Sequence, residues 1–192
     1  MSIQRVPLEK SYRLLNHGPT AMISAKHEGV ANAMSAAWVC ALDFAPPKVT
    51  VVIDKSSYTR QLIEKSGLFA IQLPTAKQAK LVLDMGISRH TNPHKVDNVP
   101  FFYPEGFDIP LIEGCAAWLV CKVIPEPHNQ QRYDLFIGEV VAAYADDTVF
   151  KDGRWLFEQA PDEMRTLHYI AGGQFYTTGA SLVIQHHPYV DE

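Results

Sequence analysis

This sequence predicts a mainly β chain, a β-barrel carrying a few short helices, and three observations support that expectation. Apolar and β-branched residues gather into roughly six or seven short runs separated by Gly, Pro and Asp turns. Only two of the early stretches read as short helices, and strands and helices do not alternate strictly, which argues against a doubly wound sheet. The chain has 192 residues, 47% apolar and 20% charged, which suits a single domain over residues 1–192 whose core needs no staples. That composition also excludes a disordered chain.

The elements follow in order. The first strand covers Thr20 to Lys26 and the second Ala31 to Leu42, with His27-Glu28-Gly29 supplying the glycine that a hairpin needs. Ala45-Pro46-Pro47 stops the second run because proline has no ladder N–H, and a third strand runs from Lys48 to Ile53. A polar, hydroxyl-rich loop from Asp54 to Thr59 leads to a helix over Arg60 to Ser66, stopped by Gly67. Leu68 to Leu73 is the next strand. Thr75-Ala76-Lys77-Gln78 has the form of a capping box and opens a helix to about Met85, with Leu81 and Val82 on one face.

Gly86 to Pro110 holds Pro93, Pro100, Pro104 and Pro110 and shows no period, and a loop of that length is functional or disordered. Phe101, Phe102, Tyr103 and Phe107 favour order, since their burial offsets the entropy lost. Leu111 to Ile124 and Tyr133 to Tyr144 are strands joined by the turn Pro125-Glu126-Pro127. Asp152-Gly153 marks a hairpin before Trp155, and a short helix is expected near Glu163 to Leu167, ahead of Ala171-Gly172-Gly173.

Seventeen Lys and Arg against 21 Asp and Glu give a net charge of -4, with no basic run. Nucleic acid and anionic membrane surfaces are therefore poor partners. Cys40, Cys115 and Cys121 make an odd set without CxxC spacing, and they read as small buried hydrophobes in a reducing compartment. The polar, proline-bearing start Met1 to Pro7 has no signal-peptide core. The longest apolar runs, Ala36 to Leu42 and Cys115 to Cys121, fall short of the roughly 20 residues that a spanning helix requires. A cytoplasmic protein is the resulting expectation, and Trp118 and Trp155 are expected to pack in the core or at a dimer contact.

Several chemistries find no support. His90 and His94 stand four apart, but Pro93 opposes a helix between them, and His186-His187 lies beside Pro188 in the tail, so no metal site is expected. No GxSxG elbow occurs, and Gly172-Gly173 is not a dinucleotide turn.

Two segments carry more. Lys55-Ser56-Ser57-Tyr58-Thr59-Arg60 combines cations, hydroxyls and the free amides of a helix start, which are the parts of a phosphate cradle and also of an ordinary helix cap. Asn32-Ala33-Met34-Ser35-Ala36-Ala37-Trp38 is a strand of small side chains on which a planar ligand can approach the backbone. A crowded barrel interior would favour the same residues.

In sequence order, Asn32 to Trp38, Pro46-Pro47, Lys55 to Thr59, Gly67-Leu68-Phe69-Ala70-Ile71 and Leu167-His168-Tyr169-Ile170-Ala171-Gly172-Gly173 resemble the flavin reductase-like family of FMN-binding split barrels, which includes the flavoredoxins. The resemblance implies a split β-barrel with Greek-key topology and a few short helices, a homodimer, and FMN bound near the subunit interface. It implies that Asn32, Ala33, Met34, Ser35, Ala36, Ala37 and Trp38 line the isoalloxazine and ribityl chain, while Lys55, Ser56, Ser57 and Thr59 hold the phosphate.

The family's loop after the second helix often carries a Ser-Gly pair and a downstream Asp-Lys. Gly86-Ile87-Ser88-Arg89-His90-Thr91 and His94-Lys95 keep that pattern only in part, and Arg89, His90 and Lys95 are the implied flavin or substrate contacts. His168 lies in a stretch that the family places near its active site, and a half-buried structural histidine is the other account of it. His168 and His90 are the candidates for a catalytic side chain, although hydride transfer to flavin N5 requires none. The implied activity is NAD(P)H:flavin reduction, with NADH or NADPH as a transient co-substrate stacking on the flavin. The alternative is a flavoredoxin-like carrier serving a redox protein partner without direct use of nicotinamide.

Overall fold

Two hairpins open the fold in the computed structural model, which describes residues 18–184. Strands β1 (Ala21–His27) and β2 (Val30–Ala36) are joined through Glu28 and Gly29, both left-handed at φ 48° and 79°, as a two-residue hairpin turn demands. Strands β3 (Val39–Phe44) and β4 (Pro47–Val52) pair across Ala45-Pro46. The single run expected from Ala31 to Leu42 is therefore two strands, because the chain leaves the ladder at Ala37-Trp38. Both residues are apolar, so hydropathy does not mark the break.

The remaining elements are α1 (Tyr58–Ser66), β5 (Leu68–Leu73), α2 (Ala79–Gly86), β6 (Phe101–Phe102), β7 (Leu111–Ile112), β8 (Ala117–Ile124), α3 (Pro127–Tyr133), β9 (Leu135–Ala145), β10 (Phe150–Lys151), β11 (Arg154–Trp155), β12 (Leu167–Ala171) and β13 (Gln174–Thr177). Seven strands form one antiparallel sheet in the order β2-β1-β5-β8-β9-β4-β3. Its two edge strands, β2 and β3, are consecutive in the chain, with only Ala37 and Trp38 between them. The sheet must therefore curl until its edges meet. No ladder joins β2 to β3 among the described residues, and the barrel is split there. The β4-to-β5 connection crosses the barrel end with α1, which gives the Greek-key path.

One apolar cluster fills the barrel around Ile23, Val51, Ile63, Phe69 and Phe136. A second lies between the sheet, α2 and the long loop, around Met22, Val82, Met85, Ile109 and Trp118. Phe101, Phe102 and Phe107 pack on this second cluster, which explains the order of the proline-rich loop, while Tyr103 stays outside under the Lys26 ammonium. A buried polar chain ties the end of that loop to the sheet: Ser24 Oγ donates to Pro110 O at 2.5 Å, Gln72 Nε2 donates to Ser24 Oγ at 2.8 Å, and Ile112 N donates to Gln72 Oε1 at 2.5 Å.

Four expectations are corrected. Pro125-Glu126-Pro127 is not a plain turn between strands, because α3 follows it with Pro127 in the first helical turn, where the missing N–H costs nothing. The run from Leu111 to Ile124 is interrupted, giving β7 and β8. The helix expected near Glu163 to Leu167 is a 3-10 turn over Asp162–Met164, and Leu167 begins β12. Cys40 is exposed on edge strand β3, whereas Cys115 and Cys121 are buried and desolvation pushes each thiol up to about 12. Trp118 packs in the core, but Trp155 is 39% exposed, stacked on Phe157. No helix among the described residues is long and apolar enough to cross a membrane. Met1 to Pro7 and His186-His187 lie outside the described residues.

Candidate functional site

Strand β2 lies between two clefts. The first, of about 190 Å³, is bounded by Asn32, Met34 and Ser35 of β2, by Asp54 and Ser56 to Thr59 before and in the first turn of α1, and by Met85 to Arg89 and Lys95 beyond α2. The second, of about 430 Å³, is apolar and runs from Ser35, Ala36 and Ala37 across Val82 and Leu83 to Tyr169 and Phe175. A third hollow of about 370 Å³ opens on the other side of the same segment, between Trp38 and Tyr133. Ser35 borders all three, and its hydroxyl is fixed by a 2.5 Å bond to Val82 O of α2.

The first cleft gathers cations, hydroxyls and a helix start. Ser57 occupies the N-cap position of α1 but does not cap it, because its hydroxyl meets Met34 Sδ at 3.0 Å. The first-turn amides therefore face the cleft without a side-chain acceptor from Ser57, at the positive end of the helix dipole. Arg89 Nη1 donates to Ala31 O at 2.6 Å, and the guanidinium lies 4.7 Å from the Tyr58 ring centroid. Lys95 Nζ donates to Met85 O at 2.9 Å and Ile87 O at 2.8 Å, and burial, then the Arg89 charge, pushes its ammonium down to about 8. Asn32, fully buried, links these parts: Nδ2 donates to Thr59 Oγ1 at 2.8 Å, and Oδ1 accepts from Arg89 Nη1 at 3.4 Å. One carboxylate borders the cleft. Asp54 accepts from Ser56 N at 2.7 Å and Ser56 Oγ at 2.6 Å, and these bonds hold its carboxyl below the usual range.

The structure gathers Asn32, Met34, Ser35, Ser56, Ser57, Thr59, Arg89 and Lys95 around the first cleft, and Ala36 and Ala37 along the second. Trp38 lines the third hollow and is 52% exposed. Others lie elsewhere. Ala33 is buried in the core cluster under α2, because alternation along β2 turns it away from its neighbours. Lys55 is exposed and borders none of the three hollows. Arg60 is also absent from them: 3% exposed, it is held by Glu64 at 2.8 Å, Asp134 at 2.5 Å, and the carbonyls of Ile53 and Gln130. His90 sits edge-on to Tyr58 at 6.4 Å, outside the cleft lining. In β12 it is Tyr169, not His168, that faces the second cleft.

Sequence reasoning missed Tyr169 and Phe175 as lining residues. Gly172 and Gly173, at φ 59° and 84°, form the turn that folds β12 against β13 and sets the two rings 5.4 Å apart. Their signal was that glycine pair, read only as a Gly-rich stretch. Among the described residues no group of His, Cys, Asp and Glu could hold a metal ion.

Comparison with known proteins shows the family and the fold. Residues 13–177 match the family model described as flavin reductase like domain. The crystal structure of an FMN-binding domain of a flavin reductases-like enzyme from Shewanella baltica OS155 is 54% identical, with TM-score 0.85, over 94% of this chain and 96% of that one. The uncharacterized protein YddH of Escherichia coli K12 is 38% identical over 179 residues, 91% of this chain and 94% of its own. The flavoredoxin of Desulfovibrio vulgaris (Miyazaki F) is 19% identical at TM-score 0.77, over 94% of this chain and 97% of that one, a likeness of fold.

Proposed function

Because the chain belongs to the flavin reductase-like family, we propose that it is an FMN-binding oxidoreductase of the NAD(P)H:flavin reductase type. The observation that carries this reading is the pairing of an anion cleft with an apolar cleft along one strand of small side chains. A phosphate monoester joined to a flat ring system needs that pairing, and the donor set fits it. The first-turn amides of α1, Ser57, Arg89 and Lys95 would hold the phosphate, while Asn32 and Thr59 brace them from below. Ala36, Ala37, Tyr169 and Phe175 would line the ring and keep water from it. Bound FMN supplies hydride acceptance at its N5, chemistry that no amino-acid side chain offers. The protein's own part is to bind, orient and dry the site, and no side-chain nucleophile is required.

A second copy of the chain belongs to this reading. Edge strand β3, which follows Trp38 of the third hollow, presents Leu42 at 51% and Phe44 at 98% exposure. An apolar edge of that kind invites pairing, and a homodimer would cover it.

The deciding experiment is steady-state oxidation of NADH and NADPH by the purified protein with free FMN, together with its visible spectrum. Turnover with either nicotinamide is the expected result. A flavin that is reduced only through a redox protein partner would instead identify a flavoredoxin-like carrier. Colourless protein that never takes up FMN would sink both readings.

A further inference from the structure

Lys95 is a half-buried charge at the edge of the anion cleft. It lies in the loop after α2, folds back on that helix, and gives two of its three ammonium hydrogens to the carbonyls of Met85 and Ile87. Those carbonyls belong to the open end of α2, where a cation is favoured. Among the described residues no third acceptor meets this ammonium, and Lys95 borders the anion cleft with Arg89 beside it. The cleft therefore holds an incompletely satisfied, partly buried cation at the place where a phosphate would complete it.

We propose that Lys95 makes capture of the flavin phosphate proton-linked, so that the cleft takes up a proton with FMN and none with riboflavin. This rests on the FMN reading given above. The reaction is a protonation and nothing more: the neutral fraction of the Lys95 amine gains one hydrogen ion from solvent, and no other bond is made or broken.

The neighbours allow this. Asp54 faces the cleft from the loop before α1, with its carboxylate engaged by Ser56, and Tyr58 of α1 lies under Arg89. From α2, Asp84 is paired with Lys80 at 2.7 Å. On the same loop stand Arg89, His90 and the His94–Asp97 pair at 2.7 Å. Of these, Arg89 is the charge that acts on Lys95, adding to desolvation and holding it near 8. A phosphate dianion reverses the balance, because an opposite charge at contact raises an amine by roughly one to three pH units.

The test is calorimetric titration of the flavin-free, full-length chain with FMN and with riboflavin at pH 8.5, in two buffers of different ionisation enthalpy. Wild-type protein is expected to take up roughly half to three quarters of a proton with FMN and about none with riboflavin. Above pH 8 the preference for FMN over riboflavin should fall roughly three- to tenfold per pH unit. Lys95→Arg keeps a permanent charge, so it should bind FMN at pH 7 and show neither uptake nor pH dependence. Equal uptake for both ligands, or uptake that persists in Lys95→Arg, overturns the proposal. If that variant does not fold, the wild-type difference between the two ligands decides alone. FMN bound tightly at pH 7 without uptake at pH 8.5 refutes the proton linkage only, whereas no FMN binding at any pH removes the FMN reading and this inference together.

Discussion

Asn32 does two tasks with one buried amide, holding Thr59 by its nitrogen and Arg89 by its oxygen. The loop Lys55 to Arg60 reads in the sequence as the parts of an anion cradle, and the structure sets its hydroxyls, but neither of its cations, on the cleft. Arg60 is occupied by Glu64 and Asp134, and Lys55 faces solvent, so the cleft draws its positive charge from Arg89 and Lys95. Sequence alone cannot reveal which arginine has already been neutralised by a carboxylate 74 positions away. Arg89→Met should therefore weaken FMN by about 10- to 100-fold, the equivalent of one charge-assisted hydrogen bond, and leave riboflavin within about twofold. Fluorescence titration with both ligands measures this. A loss equal for the two would place the phosphate elsewhere. Ser57→Ala with Thr59→Ala should also discriminate, though Thr59 is fully buried and its loss leaves Asn32 Nδ2 without a partner, adding a stability cost of about 1–3 kcal/mol.

Among the elements, legibility followed local chemistry. The β1–β2 turn, the Gly67 stop of α1 and the Asp152-Gly153 hairpin were readable because each rests on a left-handed residue within its own turn. Gln78 Oε1 accepts the Thr75 N–H at 3.2 Å, as the capping box foretold, although the turn it opens is 3-10 before α2 begins. Helix α3 was not readable: its seven residues Pro-His-Asn-Gln-Gln-Arg-Tyr bury nothing and so carry no apolar period. Nor was the break at Ala37-Trp38, which is set by the curl of the whole sheet. Gly138 in β9 shows how tightly that sheet is packed, since an added Cβ would stand 2.5 Å from Phe69 Cζ and 3.1 Å from Cys121 Cβ. Gly138→Ala is expected to cost about 1–3 kcal/mol by overpacking, read as a lower thermal midpoint. An unchanged midpoint would mean that the Phe69 ring has somewhere else to go. Phe69 is fully buried, which argues against that escape.

For the whole molecule, edge strand β3 beside the split leaves an apolar rim exposed among the described residues. Replacing Leu42 and Phe44 together by Glu should convert the protein to a species of 21.5 kDa in sedimentation, while the parent chain sediments at about twice that mass if the homodimer forms. A parent chain that sediments as a monomer contradicts the dimer. The crossing from α2 to β8 was legible as an ordered loop from its aromatics, and its far end is fastened by the Ser24–Gln72–Ile112 chain. That fastening has a thermodynamic consequence. Immobilising backbone costs about 1–2 kcal/mol per residue, and with the near end of the loop tied by Arg89 to Ala31 O and by Lys95 to Met85 O and Ile87 O the loss falls at folding, before any ligand arrives. Affinity at the cleft then reflects the strength of its contacts undiminished by the entropy of arranging them.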